Sequence, residues 1–193
     1  MTAAVLAHSD AELLQRANAG ERDALEELFV RHRSLAYRVA YRLLGHEEDA
    51  LDAVQEAFVK AITHLPTFEG RSSFKTWLLR VVSNAALDLG RQRGRRETMS
   101  MDAFGQRRRE EMEPSVTVEP DRELQREDLR RELQQALDCL PPAQRQTFVL
   151  HVDAELSYRE VADALGISIG TVMSRLFYAR QKLRAILASW TRR

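Results

Sequence analysis

Apolar residues recur every three or four positions through most of this chain, the spacing of helices with one buried side. Ser9 and Glu12 form a capping box that opens a first helix ending near Gly20. Leu25, Leu28, Phe29, Leu35, Ala36, Val39, Ala40 and Leu43 make one stripe over residues 23–44, which Gly45 closes. A third helix spans 47–64 and ends at Leu65-Pro66, with Ala53, Ala57, Phe58 and Ile62 as packing positions. The loop LPTFEGRSS follows. A fourth helix runs from about Ser73 to Arg93 and buries Phe74, Trp77, Leu78, Val81, Val82, Ala85 and Leu89. Its outward face is Thr76, Arg80, Ser83, Asn84, Leu87 and Arg91. The helical period then fades over 96–121, which carries Pro114, Pro120 and mixed charge and is expected to be a flexible linker. It returns from about Arg122 to Leu140, and Pro141-Pro142 separates that helix from the next. The fold class predicted is all-α: two small helical domains, 10–95 and 122–193, joined by a linker.

The final stretch, SYREVADALGISIGTVMSRLFYARQKLR, predicts two short helices around a glycine turn. Ser157 and Glu160 supply another capping box, and Gly166 stands where a helix ends in the left-handed conformation. Ser168 caps the second helix, whose buried stripe is Val172, Leu176, Ala179 and Leu183. Gly170, Ser174, Phe177, Tyr178 and Gln181 point the other way. Two aromatics on an outward face suit thymine methyls or sugar edges, and Arg175, Arg180, Lys182 and Arg184 suit phosphates. This is the design of a helix-turn-helix that enters a DNA major groove. An ordinary helical hairpin with a solvated basic face is the alternative, and the agreement of caps, turn and both faces favours the DNA reading.

Net charge is zero, with 29 cations against 29 acids, which taken alone argues against a nucleic-acid partner. The charges are segregated, however. Residues 167–193 hold six cations and no acid, and 71–96 hold seven cations against Asp88 alone. Residues 43–58 hold five acids and no Lys or Arg. Two basic surfaces for nucleic acid and a separate acidic surface for protein follow. The five histidines lack metal-ligand spacing, so no metal and no cofactor is expected. There is no phosphate loop and no nucleophile motif, so the chain does not read as an enzyme. No apolar run approaches the ~20 residues of a membrane span, and the N-terminus lacks a signal-peptide pattern, so no membrane insertion and a cytoplasmic location are expected. Cys139, the single cysteine, falls at an apolar position and reads as buried packing. Trp77 reads as core ahead of base stacking.

The acidic string DALDAVQEAF, the loop LPTFEGRSSFKTWL, the helix RVVSNAALDLGRQRGRR, the segment LPPAQRQTFVLH and the final hairpin occur in that order. Together they resemble the extracytoplasmic-function (ECF) sigma factors of bacterial RNA polymerase, of the sigma-70 family. That resemblance implies a non-catalytic subunit that binds core polymerase and directs promoter-specific initiation. By position it assigns 10–95 to sigma region 2 and 122–193 to region 4. Asp49, Asp52, Gln55, Glu56 and Val59 would dock on the polymerase beta-prime clamp, and the C-terminal domain would rest on the beta subunit. Phe68, Ser72, Ser73, Lys75, Thr76, Arg80, Ser83, Asn84 and Arg91 would hold the opened minus-ten element. Ser168, Gly170, Thr171, Ser174, Arg175, Phe177, Tyr178, Arg180, Gln181 and Lys182 would read the minus-thirty-five element. An anti-sigma factor is the further partner implied. A plain DNA-binding regulator would explain the hairpin but not the acidic helix, loop and basic helix together. An enzyme acting on nucleic acid would have only the acidic helix as its candidate centre.

Overall fold

The structure is a computed structural model that describes the backbone of residues 8–101 and 120–190 and the side chains of 8–95 and 129–188. All its described regular structure is helical: α1 (Asp10–Asn18), α2 (Arg22–Leu44), α3 (Glu47–His64), a 3-10 turn (Leu65–Thr67), α4 (Phe74–Met101), α5 (Pro120–Asp138), α6 (Pro142–Val152), α7 (Tyr158–Leu165) and α8 (Ile169–Trp190). The middle of the expected linker, 102–119, lies outside the described residues. Its two ends differ from expectation, because α4 continues to Met101 and α5 begins at Pro120.

The caps fall where the side-chain chemistry places them. Ser9 and Ser157 each accept the backbone N–H three residues on, and Glu12 and Glu160 return the bond to the cap residue. Gly45 (φ 72°) and Gly166 (φ 63°) end α2 and α7 in the left-handed region. The Ser168 hydroxyl accepts the Thr171 N–H at 3.1 Å and starts α8.

The N-terminal unit packs α1–α4 around Leu13, Leu28, Val39, Leu78 and Val82, all fully buried. Small residues set the spacing, since α3 presents Ala50, Ala53, Ala57 and Ala61 to its neighbours with no exposed surface. A ring cluster closes the end beneath the 65–73 loop. Phe29 meets Phe58 (4.8 Å between centroids) and Phe74 (5.9 Å), and Trp77 meets Phe68 (5.1 Å) and Phe74 (5.8 Å). Trp77 is thus a packing residue, half-buried in this cluster. Asp10 ties α1 to α2 through Arg31 (2.8 Å) and His32 (2.7 Å).

The C-terminal unit packs α5–α8. Val149, Leu150, Leu156, Val161, Val172 and Leu176 are buried in one cluster continuous with the N-terminal core, and a smaller cluster joins Ala136, Leu137, Leu140, Ala179 and Leu183. Cys139 is exposed, against the expectation of a buried position. The reason is local: α5 ends at Asp138, and past that end the turn aims Leu140 inward instead.

The two units touch. Arg145 Nη1 donates to the Leu43 carbonyl (3.0 Å) and Gln134 Nε2 to the Arg42 carbonyl (3.2 Å). Both acceptors belong to the last turn of α2, where carbonyls have no partner within the helix. Arg42 in turn pairs with Asp153 at 3.3 Å. Burial pushes the Asp153 carboxyl above its usual range, and Arg42 and Arg38 only partly pull it back.

Two outcomes are expected. Hydrogen bonds from the Ser157 hydroxyl and backbone N–H hold the Glu160 carboxyl below its usual range. Its share of the stability is therefore present above the unfolded carboxyl pKa and is lost as pH falls through the lower folded value. Thermal melts of Glu160→Gln should show a deficit against the parent at pH 7, of about 1 kcal/mol, that shrinks toward pH 3. Gly45→Ala should cost more than Gly166→Ala. Each pays ~1 kcal/mol or more for positive φ, but only at position 45 would the new Cβ also crowd Gln134, at 3.3 Å. Denaturant titration of the two variants ranks them.

Candidate nucleic-acid and partner interfaces

Helix α8 places its residues as its spacing predicts. Val172, Leu176, Ala179 and Leu183 are buried, while Phe177 (63%) and Tyr178 (56%) stand exposed with their rings edge to face at 5.4 Å. Ser168, Gly170, Ser174, Arg180, Gln181 and Lys182 are exposed, and Thr171 and Arg175 are half-buried. An open groove of about 600 Å³ runs beside this face, lined by Tyr158, Met173, Phe177, Arg180, Gln181 and Arg184. Tyr158 was not among the expected residues. It reaches the groove from α7, held by an edge contact to His151 (4.9 Å), whose Nδ1 lies 2.8 Å from the Leu156 carbonyl oxygen. A rigid helix with apolar rings at its centre and cations along its flank can press against base edges and phosphates together.

Helix α3 turns Asp52, Gln55, Glu56 and Val59 to solvent, with Asp49 half-buried in an ion pair with Arg93. Glu56 also pairs with Lys60 one turn on, at 2.5 Å. Ile62 is exposed, against its expected packing role, and so is Leu51. Leu51, Gln55, Val59 and Ile62 fall on one row at spacings of four, four and three. The alanine side of α3 is narrow enough to satisfy the core without Ile62. The result is a mostly apolar row edged by carboxylates, with chemistry that suits a protein surface better than a nucleic acid. The spacing of four from Leu51 to Gln55 and Val59 is the sequence signal for this row.

Helix α4 departs most from expectation. Arg80, Asn84 and Arg91 are exposed as expected, and Arg91 bonds Asp88 at 2.7 Å. Leu87 is half-buried. Thr76 and Ser83, expected on the free face, are 0% exposed. The Thr76 hydroxyl, which bonds the Ser73 hydroxyl at 2.8 Å, also reaches Glu160 Oε1 at 3.5 Å, and Gln146 Nε2 donates to the Ser83 hydroxyl (3.2 Å). Glu160 and Gln146 belong to the C-terminal unit, so tertiary contact covers what the helical period leaves outward. Ser73 has a local duty as well: its hydroxyl accepts the Thr76 N–H at 3.1 Å and caps α4. Phe68 is half-buried on Trp77, while Ser72 and Lys75 are half-buried at the mouth of the loop. Gly70, at φ 68°, turns that loop.

No group of His, Cys, Asp and Glu among the described residues is placed to hold a metal ion. No described helix is long and apolar enough to cross a membrane.

Comparison with known proteins agrees with this layout. Residues 28–96 match the Sigma-70 region 2 family and residues 130–183 the Sigma-70 region 4 family. The chain is 37% identical over 163 residues to the ECF RNA polymerase sigma factor SigE of Mycolicibacterium smegmatis, a match that covers 84% of this chain and 61% of that protein. It is 32% identical to the ECF RNA polymerase sigma-E factor of Escherichia coli over 180 residues, 91% of this chain and 92% of the relative. Among solved structures, the sigma factor RpoE of Bartonella quintana in complex with the anti-sigma factor NepR superposes with a TM-score of 0.66 at 27% identity, covering 87% of this chain and 98% of the other. Caps, helix order, the exposed faces of α3 and α8 and these matches converge: the chain belongs to the sigma-70 family, in its ECF sigma factor group.

Proposed function

We propose that this sigma factor docks on core RNA polymerase through α3, opens and reads the minus-ten element with the 65–73 loop and α4, and reads the minus-thirty-five element with α8. The observation that carries the reading is the pair of unlike exposed faces: an acid-edged apolar row on α3 and, far along the chain, an acid-free aromatic and cationic face on α8. One fits a protein partner and the other a duplex. Region 2 spans 10–95 on this reading and region 4 spans 122–193, so that two modules grip two separated promoter elements and their joint binding gains from effective concentration. Docking is assigned to Asp49, Asp52, Gln55, Glu56 and Val59 on the beta-prime clamp, with Leu51 and Ile62 extending the same row. Region 4 is assigned a seat on the beta subunit.

Strand opening asks for a site that holds an unstacked base, because unstacking costs a few kcal/mol. The loop around Phe68, Ser72 and Gly70 stands on the Phe74–Trp77 ring cluster, which gives a floating segment a rigid floor. Arg80, Asn84 and Arg91 line the exposed side of α4 beside it. The chain supplies binding and specificity, the polymerase supplies the chemistry, and the protein works in the cytoplasm where the polymerase is. An anti-sigma factor that covers these faces is the regulatory partner assigned.

Run-off transcription with purified core polymerase and genomic promoter fragments tests the reading: start-site selection should require this chain. Glu56→Lys should weaken core affinity by about tenfold or more, because it sets a cation on an acidic docking face. Asn84→Ala should slow strand opening, read by permanganate reactivity, while leaving core affinity within twofold. For α8, Arg180→Ala with Lys182→Ala should reduce the slope of log affinity against log salt by about two on duplex DNA presented to the holoenzyme. An unchanged slope would remove those side chains from the phosphate contacts.

A further inference from the structure

His32 is a polar ring in an apolar setting. It is 8% exposed on α2, and its imidazole meets the Phe74 ring at 5.5 Å between centroids. A buried ring N–H asks for an acceptor. That acceptor comes from another helix: His32 Nε2 lies 2.7 Å from Asp10 Oδ2, at the first residue of α1. The other oxygen of the same carboxylate accepts from Arg31 Nη1 at 2.8 Å. One carboxylate thus holds two neighbouring side chains of α2, His32 inside and Arg31 at the surface.

Phe74 is the hub of the ring cluster. It opens α4 directly after the Ser73 cap and is 2% exposed. Its ring lies 5.9 Å from Phe29, 5.8 Å from Trp77 and 6.4 Å from Phe68. Phe68 belongs to the 65–73 loop and rests on Trp77 at 5.1 Å. Contact therefore runs without a break from Asp10 through His32 and Phe74 to Phe68. We propose that Asp10 and His32 are positioning residues for that loop: α1 orients the imidazole, the imidazole orients Phe74, and Phe74 with Trp77 sets Phe68 where an extruded base is received. The functional half of this proposal rests on the assignment of the loop to the opened minus-ten strand. Helix α1 precedes residue 28, where the match to the Sigma-70 region 2 family begins, and so extends the working unit upstream of that match.

The chemistry accounts for an imidazole at this place. An aliphatic side chain would fill the space but leave the tilt of its ring neighbour loosely set. A hydrogen-bonded imidazole has its plane fixed by its acceptor, and a ring in a fixed plane favours particular orientations of the ring packed on it. Phe74 passes that orientation to Trp77 and Phe68 together. A loop that receives a base needs such support, because a binding group held loosely loses much of its effect. Arg31 has a different standing. It is paired with Glu27 on its own helix at 2.9 Å, and its bond to Asp10 is made at the surface. The two arms of Asp10 therefore separate loop positioning from simple attachment of α1.

The test uses the full chain carrying Trp190→Phe, because the sequence has two tryptophans and this change leaves Trp77 as the reporter. Asp10→Ala should raise acrylamide quenching of Trp77 by about twofold, with helical content unchanged, as the loop loosens above it. In the holoenzyme it should slow promoter opening, read by permanganate reactivity, by about fivefold, the scale of one net hydrogen bond. Affinity for core polymerase should stay within about twofold, since the docking row on α3 is untouched. Asp10→Asn, which keeps an acceptor for the imidazole, should return both readouts to those of the parent. Arg31→Ala, which removes only the surface arm, should match the parent in both. An Asp10→Ala chain with Trp77 quenched as in the parent overturns the proposal. So does an Arg31→Ala chain that behaves as Asp10→Ala does, because α1 then acts by attachment alone. A loosened Trp77 with promoter opening unchanged establishes the positioning of the loop and overturns its assignment to the opened strand instead.

Discussion

A helix at the edge of a bundle needs one apolar stripe, and α4 has two. Phe74, Leu78, Val82 and Ala85 face the N-terminal core, while Thr76, Leu79, Ser83 and Ala86 face a second direction, about 125° round the axis at 100° per residue. Both sets are buried. The second set is small and half polar, which lets α6 and α7 approach closely and gives them hydroxyls to bond. The remaining side, with Arg80, Asn84 and Arg91, is the one left to solvent. The helix is therefore at once core element, domain interface and candidate DNA surface, and the arrangement of both units follows from how those sides are shared.

The size of the domain contact decides how it behaves. Two units on one chain see each other at an effective concentration on the order of 1 mM. An interface worth more than about 4 kcal/mol at a 1 M standard state then keeps them together. The hydrogen bonds from Arg145, Gln134, Gln146 and Thr76 contribute about 1 kcal/mol each at best, and burial of Leu79 adds ~2 kcal/mol. The buried Asp153 carboxylate and the two unpartnered atoms subtract from that sum. The continuous apolar cluster shared by the two units adds further to the favourable side.

The features legible in the sequence are the local ones. Capping boxes, glycine terminators and the α8 stripe involve residues within four positions of each other, and each stands as its spacing predicts. The acidic face of α3 was legible for the same reason. What the sequence did not disclose depends on distant partners. Thr76 and Ser83 lie outward by period, yet they are covered by residues 84 and 63 positions away. Ile62 reads as packing by period, yet the alanine face of α3 leaves it outside. Cys139 was misplaced by a single residue, because a helix end changes direction where a period does not. Periodicity sorts a helix into inside and outside; it has no symbol for a side covered by a second domain.

The contact between the two units covers one side of α4 and spares the row on α3. Asp52, Gln55, Glu56, Leu51, Val59 and Ile62 on α3 stay exposed while Thr76 and Ser83 are hidden. The difference follows from side-chain size. Helix α3 meets its neighbours through alanines and turns its larger apolar residues out, whereas α4 turns small and hydroxyl-bearing residues toward α6 and α7, which can then approach closely.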